Sequence, residues 1–182
     1  LLQSMIVTPI NYDDLLVGDK NAILIAARIL GYGAEYSFKY NDGRREVETT
    51  VDLSKLNEKP LDETLFKPGV NEFTFALPKS GNIVTFKLLT HGDEKKIDAE
   101  VKGLQKVNPN GSFDVTTRLK HMITSVNGDR DQKSIRDFVD NYLLAPDSRA
   151  LREYIKQIQP DVITKFTYIN DEGVGEDIEI PI

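Results

Sequence analysis

The feature that most constrains this chain is a turn-centred segment that occurs twice. Phe38-Lys39-Tyr40-Asn41-Asp42-Gly43-Arg44-Arg45-Glu46-Val47-Glu48 is echoed by Phe166-Thr167-Tyr168-Ile169-Asn170-Asp171-Glu172-Gly173-Val174-Gly175-Glu176-Asp177-Ile178-Glu179. In each copy an aromatic-rich strand enters Asn-Asp plus Gly and leaves as an acidic, β-branched strand. Asn, Asp and Gly tolerate positive φ, so each copy predicts a β-hairpin. One hairpin is early and the other C-terminal, so the chain is expected to return and close its fold. The two hairpins are expected to lie together or in equivalent positions. Neither copy carries a reactive group.

Other segments supply the remaining elements. Leu1 to Val7 reads as the tail of a helix stopped by Pro9. Asp19 is expected at or near the N-cap of a helix whose stripe is Ile23, Ala26, Ala27 and Leu30. Leu24, Ile25 and Ile29 widen its apolar surface, so a central position is expected, and Gly31 and Gly33 end it. Residues 52–69, with Pro60 and Pro68, read as loop with one helical turn and as the place for a hinge. A second hairpin joins 71–77 to 83–89. From Gly92 the pattern is helical. A helix over 94–107 is capped by Asp93, with Ile97, Val101, Leu104 and Val107 inward. A second over 113–126 carries Val115, Leu119, Met122, Ile123 and Val126. A third opens at Asp129 or Asp131, with Ile135, Phe138, Val139, Tyr142 and Leu143 as its stripe. A last helix, capped by Asp147 or Ser148 after Ala145-Pro146, turns Leu151, Tyr154, Ile155 and Ile158 inward. The fold class is therefore α+β, with β-hairpins in the first half and at the C-terminus and a helical cluster in the second half.

Bulk properties exclude several functions. The net charge of −6 argues against a nucleic-acid partner, which demands a basic face. No apolar run approaches the roughly 20 residues needed to span a bilayer, so no membrane partner is expected. With no cysteine, disulfides, thiolate zinc sites and cysteine nucleophiles are excluded, and an intracellular or virion setting fits. The N-terminal stretch lacks the charged region and cleavage site of a secretory signal, and residues are expected to precede Leu1.

Candidate chemistry is sparse. Gly31-Tyr32-Gly33 follows a helix and lacks the third glycine of a dinucleotide loop, so a helix C-cap is the expectation. His91 and His121 sit in no nucleophile or zinc-protease motif and read as structural. Asp129-Arg130-Asp131 and Asn170-Asp171-Glu172 lack the spacing of a calcium loop and read as caps and turns. No catalytic, cofactor-binding or metal-ligating residue is assigned, and no cofactor or small-molecule substrate is expected. The candidate contact residues are Arg44 and Arg45 at a hairpin tip, facing an acidic partner, and Ile178, Ile180 and Ile182. An apolar strand at a chain end invites addition to a neighbour's sheet edge; buried in its own sheet, it is ordinary core.

A series of motifs runs along the chain. Leu15-Leu16-Val17-Gly18-Asp19-Lys20, Arg28-Ile29-Leu30-Gly31-Tyr32-Gly33-Ala34-Glu35-Tyr36 and Val51-Asp52-Leu53-Ser54-Lys55-Leu56 come first. Phe75-Ala76-Leu77-Pro78-Lys79-Ser80-Gly81, Phe86-Lys87-Leu88-Leu89-Thr90 and Asp93-Glu94-Lys95 follow. Ile123-Thr124-Ser125-Val126-Asn127-Gly128, Asp147-Ser148-Arg149-Ala150-Leu151-Arg152-Glu153-Tyr154 and Ile178-Glu179-Ile180-Pro181-Ile182 complete the series. In this order, over nearly the whole chain, they resemble the baseplate hub family of T-even-type contractile-tailed bacteriophages. The resemblance implies one baseplate-hub-like domain over 1–182, with a sub-boundary near 57–70. It implies a non-enzymatic structural or assembly protein, partnered by other hub or tail proteins in the virion baseplate or in the host cytoplasm during assembly. A transient assembly chaperone for a hub or tape-measure protein is the alternative, and a small hydrolase is a more distant one. Several family members place paired cysteines in the two repeated turns, in the manner of zinc ribbons. Here those positions are Asn, Asp and Gly, so no zinc role carries over. Family members also tend to continue past the Ile-Pro-Ile with an aromatic-proline tail, so residues are expected beyond Ile182.

Overall fold

The computed structural model describes residues 7, 10–41, 45–169, 173 and 175–181. The fold is α+β, with five α-helices and seven strands among the described residues. The chain separates into two compact units. The first contains Gly18–Pro60 and the C-terminal stretch from Pro160; the second contains Ile10–Val17 and Leu61–Gln159. The reason is that the apolar side chains gather in two clusters, one in each unit. One crossing, at Pro60–Leu61, falls inside the proline-containing segment 57–70.

The first unit is one helix and two ribbons. Helix α1 is Val17–Tyr32, β1 is Glu35–Asn41, β2 is Glu46–Asp52, β6 is Lys165–Ile169 and β7 is Gly175–Glu179. Each ribbon is antiparallel, with Phe38 opposite Thr49 and Phe166 opposite Ile178. Alternation puts Tyr36, Phe38 and Tyr40 on one face of β1. Phe38 meets Phe166 edge-on at 5.9 Å and Tyr40 meets Tyr168 edge-on at 5.2 Å, so the two repeated hairpins pack together as expected. Both hairpin tips, 42–44 and most of 170–174, lie outside the described residues. Between the ribbons, residues 57–59 run antiparallel to 161–163, joined by Lys59 N–H to Asp161 O and Ile163 N–H to Asn57 O.

Helix α1 turns a different face inward from the one its periodicity suggests. It begins at Val17, which places Asp19 in the first turn, near the cap as expected. Ile25 is its buried residue and Ile29 packs against the same cluster, whereas Leu30 is 80% exposed. The inward line is Gly18, Asn21, Ile25 and Ile29, at helical spacing. A Cβ on Gly18 would overlap the Pro160 carbonyl, and Asn21 Nδ2 donates to Asp161 at 3.4 Å. Those contacts orient the helix. The near-continuous run Ala22–Ala27 offers no contrast that selects one face.

The second unit packs four helices on a three-stranded sheet. The strands are β3 (Phe73–Ala76), β4 (Ile83–Phe86) and β5 (Ile123–Val126), in the order β3-β4-β5. The helices are α2 (His91–Val107), α3 (Asp114–Met122), α4 (Gln132–Asp137) and α5 (Ala145–Ile158). The helix expected over 113–126 is thus split. Its last four residues, Ile-Thr-Ser-Val, pair antiparallel with β4, Thr85 opposite Ser125. Asn127 (φ 50°) and Gly128 (φ 86°) then make a tight turn that only such residues adopt readily.

The sheet's apolar face holds Phe73, Val84 and Phe86, and α5 covers it with Leu151, Ile155 and Ile158. Tyr154 stacks on Phe75 at 4.8 Å. Three residues expected inward are exposed: Val107, Val115 and Tyr142. Val107 sits on the last turn of α2, beyond the part that packs. Residues 138–142 widen into a π-helical turn, which moves Tyr142 off the stripe that buries Phe138 and Val139.

If the ribbons depend on each other, Phe38→Ala and Phe166→Ala should not be additive. A double-mutant cycle read by urea unfolding is expected to give a coupling of about 0.5–1.5 kcal/mol. Additive losses would show that the two rings fold independently.

Candidate functional site

The contact residues named from sequence occupy three kinds of place. Arg44 and Ile182 lie outside the described residues. Arg45 is exposed at the entry to β2. Ile178 is half-buried against the first unit's cluster, and Ile180 is 3% exposed within it. Ile180 N–H donates to Thr164 O at 2.8 Å, which continues the β6–β7 ladder. The Tyr36 hydroxyl donates to Pro181 O, so the strand end is fastened back onto β1. Ile180 is therefore core in its own subunit, the alternative that sequence left open.

The segments weighed for chemistry take cap and clamp positions. Gly33 (φ 88°) donates to Ile29 O at 2.9 Å and ends α1. His91 opens α2 with its ring against Tyr12 at 4.6 Å, and its N–H donates to Leu15 O. Asp131 caps α4 by accepting from Ser134 N–H at 2.9 Å. Arg130 reaches Glu72 through both terminal nitrogens, at 2.9 and 2.7 Å. Asn170-Asp171-Glu172 lies outside the described residues.

Several carboxylates were missed or misplaced by sequence reasoning. The N-cap of α2 is Thr90 instead of Asp93. Asp93 is the third residue of a capping box, exchanging bonds with Thr90 at 3.2 and 3.3 Å. Burial works against its charge, but the hydrogen bond from Lys87 at 2.8 Å and that from the Thr90 N–H hold its pKa below the usual range. The Thr-x-x-Asp spacing was the available signal. Asp147, expected as a cap, is fully buried in the first turn of α5. Its two oxygens accept from the N–H groups of Lys79 and Ser80 at 2.7 and 3.0 Å, pinning the β3–β4 turn. Burial raises its pKa, and the Ser80 side chain with those two N–H donors more than reverses the effect. Nothing local in the sequence marks this contact, because 67 residues separate the partners.

Glu100 of α2 is the most heavily engaged acid. Arg136 of α4 grips it with two bonds at 2.7 and 3.0 Å, and His121 Nε2 of α3 lies 2.8 Å away. The Arg136 hydrogen bonds chiefly lower its pKa from 4.5 to about 2, against burial and with help from His121. Arg118 of α3 links that helix to α2 by pairing with Glu94 at 2.6 and 3.0 Å, and it also pairs with Asp114 on its own helix. These groups are held ionised by cations and N–H donors. Asp19 is the opposite case, its pKa raised by burial.

Among the concavities lined by described residues, two are open to solvent. One, of about 420 Å³ in the first unit, runs beside Val51, Asp52, Lys55, Leu56, Ile163 and Phe166. The other, of about 520 Å³ in the second unit, is edged by Asp13, Lys87, Asp93, Lys95 and Lys96. Its charges are already paired in part, Lys95 with Asp13 at 2.6 Å and Lys87 with Asp93. Among the described residues no three metal-ligating side chains converge, and no helix is long and apolar enough to cross a membrane. Comparison with family models, curated proteins and solved structures gave no match, so the phage resemblance rests on the order of motifs alone.

Two outcomes follow from this geometry. Ile180→Asp places a charge in the first unit's core and is expected to abolish that unit's cooperative thermal melt. Arg45→Glu, at an exposed site, is expected to stay within about 0.5 kcal/mol of wild type. The second concerns pH. Glu100 has a depressed folded pKa, so its contribution is full above the unfolded value of about 4.5 and is lost as pH falls toward about 2. Melting temperatures across that window should fall more steeply for wild type than for Glu100→Gln. Parallel curves would show that the clamp contributes nothing to acid sensitivity.

Proposed function

We propose that this protein is a non-enzymatic structural or assembly component of a contractile phage tail baseplate hub, acting through protein–protein contacts. The observation that carries the reading is the pair of packed ribbons. Among the described residues, β1 pairs only with β2 and β6 only with β7, so strand edges remain available for neighbouring chains. The arrangement suits a subunit that is joined to others through its periphery. Within the second unit, the helices are tied to one another by the Glu100 and Arg118 clamps.

The motif order supplies the specific setting: hub and tail proteins as partners, with the virion baseplate or the host cytoplasm during assembly as the place. Nucleic acid, membrane and small-molecule substrates form no part of this proposal. A small hydrolase fits less well, because Asp93, Glu100 and Asp147 are held as anions by structural partners and not poised to exchange protons.

Co-purification from infected cells tests the reading. Tagged protein is expected to retain hub or tail proteins in fixed ratio, and purified virions are expected to contain its peptides stoichiometrically by mass spectrometry. Retention without presence in virions would assign the transient chaperone role. Loss of both would overturn the proposal.

A further inference from the structure

Most arginines in the described structure are committed to an acceptor. Arg118, Arg130, Arg136 and Arg149 each meet a carboxylate, and Arg152 donates to Ser148 O. Arg28 of α1 meets none among the described residues. Its guanidinium lies over Tyr32 at 4.7 Å and Tyr36 at 5.4 Å, and its Nη1 is buried without an acceptor. Cation–π contact with two rings orients the fork but satisfies none of its N–H donors.

The surroundings are those of an interface anchor. Leu24, Arg28 and Tyr32 stand at i, i+4 and i+8, in one line on the helix surface. Tyr32 is 82% exposed, Leu24 is 37% exposed, and the space beside Gly31 is empty. Tyr36, fastened to Pro181 O, is the fixed wall behind the guanidinium. Arginine and tyrosine beside an apolar side chain is the composition that dominates binding energy in protein interfaces.

We propose that this line docks a partner protein through an Asp or Glu side chain that pairs with Arg28, with an adjacent apolar residue covering Leu24. The proposal rests on the protein–protein reading above and adds the surface and its chemistry. Charge selects the occupant: a planar carboxylate matches the guanidinium edge that is not buried, beside the exposed Tyr32 and Leu24.

The test uses the full chain and a defined probe. Acetyl-Leu-Glu-Leu-amide and its Gln counterpart are titrated while the Arg28 side-chain N–H resonance is followed by NMR. The Glu peptide is expected to bind about tenfold more tightly, as a charge-assisted pair implies. Arg28→Gln should erase that difference, and Arg28→Lys should keep only part of it. Equal binding of the two peptides would overturn the site. Sulfate acting as strongly as the Glu peptide would show a general anion site and overturn the docking claim. Self-association lost in Arg28→Glu would assign the surface to a second copy and overturn the foreign partner. In co-purification from infected cells, Arg28→Glu should lose partners that wild type retains. If both retain tail proteins equally, the hub reading stands and this surface falls. If wild type retains none but still discriminates Glu from Gln, the hub reading falls and the carboxylate site stands.

Discussion

A two-stranded ribbon has two faces to cover and is marginal by itself in water. The contact between Phe38 and Phe166 is what removes this difficulty for both ribbons of the first unit at once. It buries the centre of each inner face, and everything else in the unit is arranged around it. Val51, Leu53 and Ile180 close the cluster from the strand ends, and Ile25 caps it from α1. Tyr40 and Tyr168 extend the packing along the strands toward the hairpin tips.

The second unit solves a different problem. Its sheet has one apolar face covered by α5, while α2, α3 and α4 have polar surfaces that hydrophobic packing alone would not register. Directional bonds supply the register. Glu100 receives donors from two neighbouring helices, and Arg118 divides its fork between Glu94 and Asp114. Asp147 does the same for a turn, taking two backbone N–H groups that would otherwise be left unpaired when α5 packs over them. Removing the fully buried Asp147 would leave those two N–H groups without their acceptor, so its structural worth exceeds what a surface ion pair would provide.

How much of this was legible follows from the range of each signal. Strand alternation and turn residues act over a few positions, and they located the hairpins, including the repeat that brings the two ribbons together. Helix caps are equally local, and the Thr90–Asp93 box was readable but was assigned to the wrong member of the pair. Ile123–Val126 carried two valid periods. Leu119, Met122, Ile123 and Val126 match a helix, while a β-branched run before Asn-Gly matches a strand. Pairing with β4 decided it, and that partner lies about forty residues away. Asp147 and the inward line of α1 depend wholly on distant partners, the β3–β4 turn and Pro160, and no local pattern encodes them.

Helix α1 shows what this difference of range implies for interaction. Its Ala22–Ala27 run is apolar on more sides than one core can cover. Ile25 and Ile29 satisfy the ribbons, leaving Leu24 and Leu30 on other faces in contact with water. Scattered exposed leucines need no explanation, but a line of Leu24, Arg28 and Tyr32 is different. Arg28 is held over two rings, and its buried Nη1 has no acceptor. The residues least explained by folding are therefore concentrated on the outer side of this helix, while Ile178 and Ile180, the apolar strand end first marked for contact, are accounted for by the core they complete.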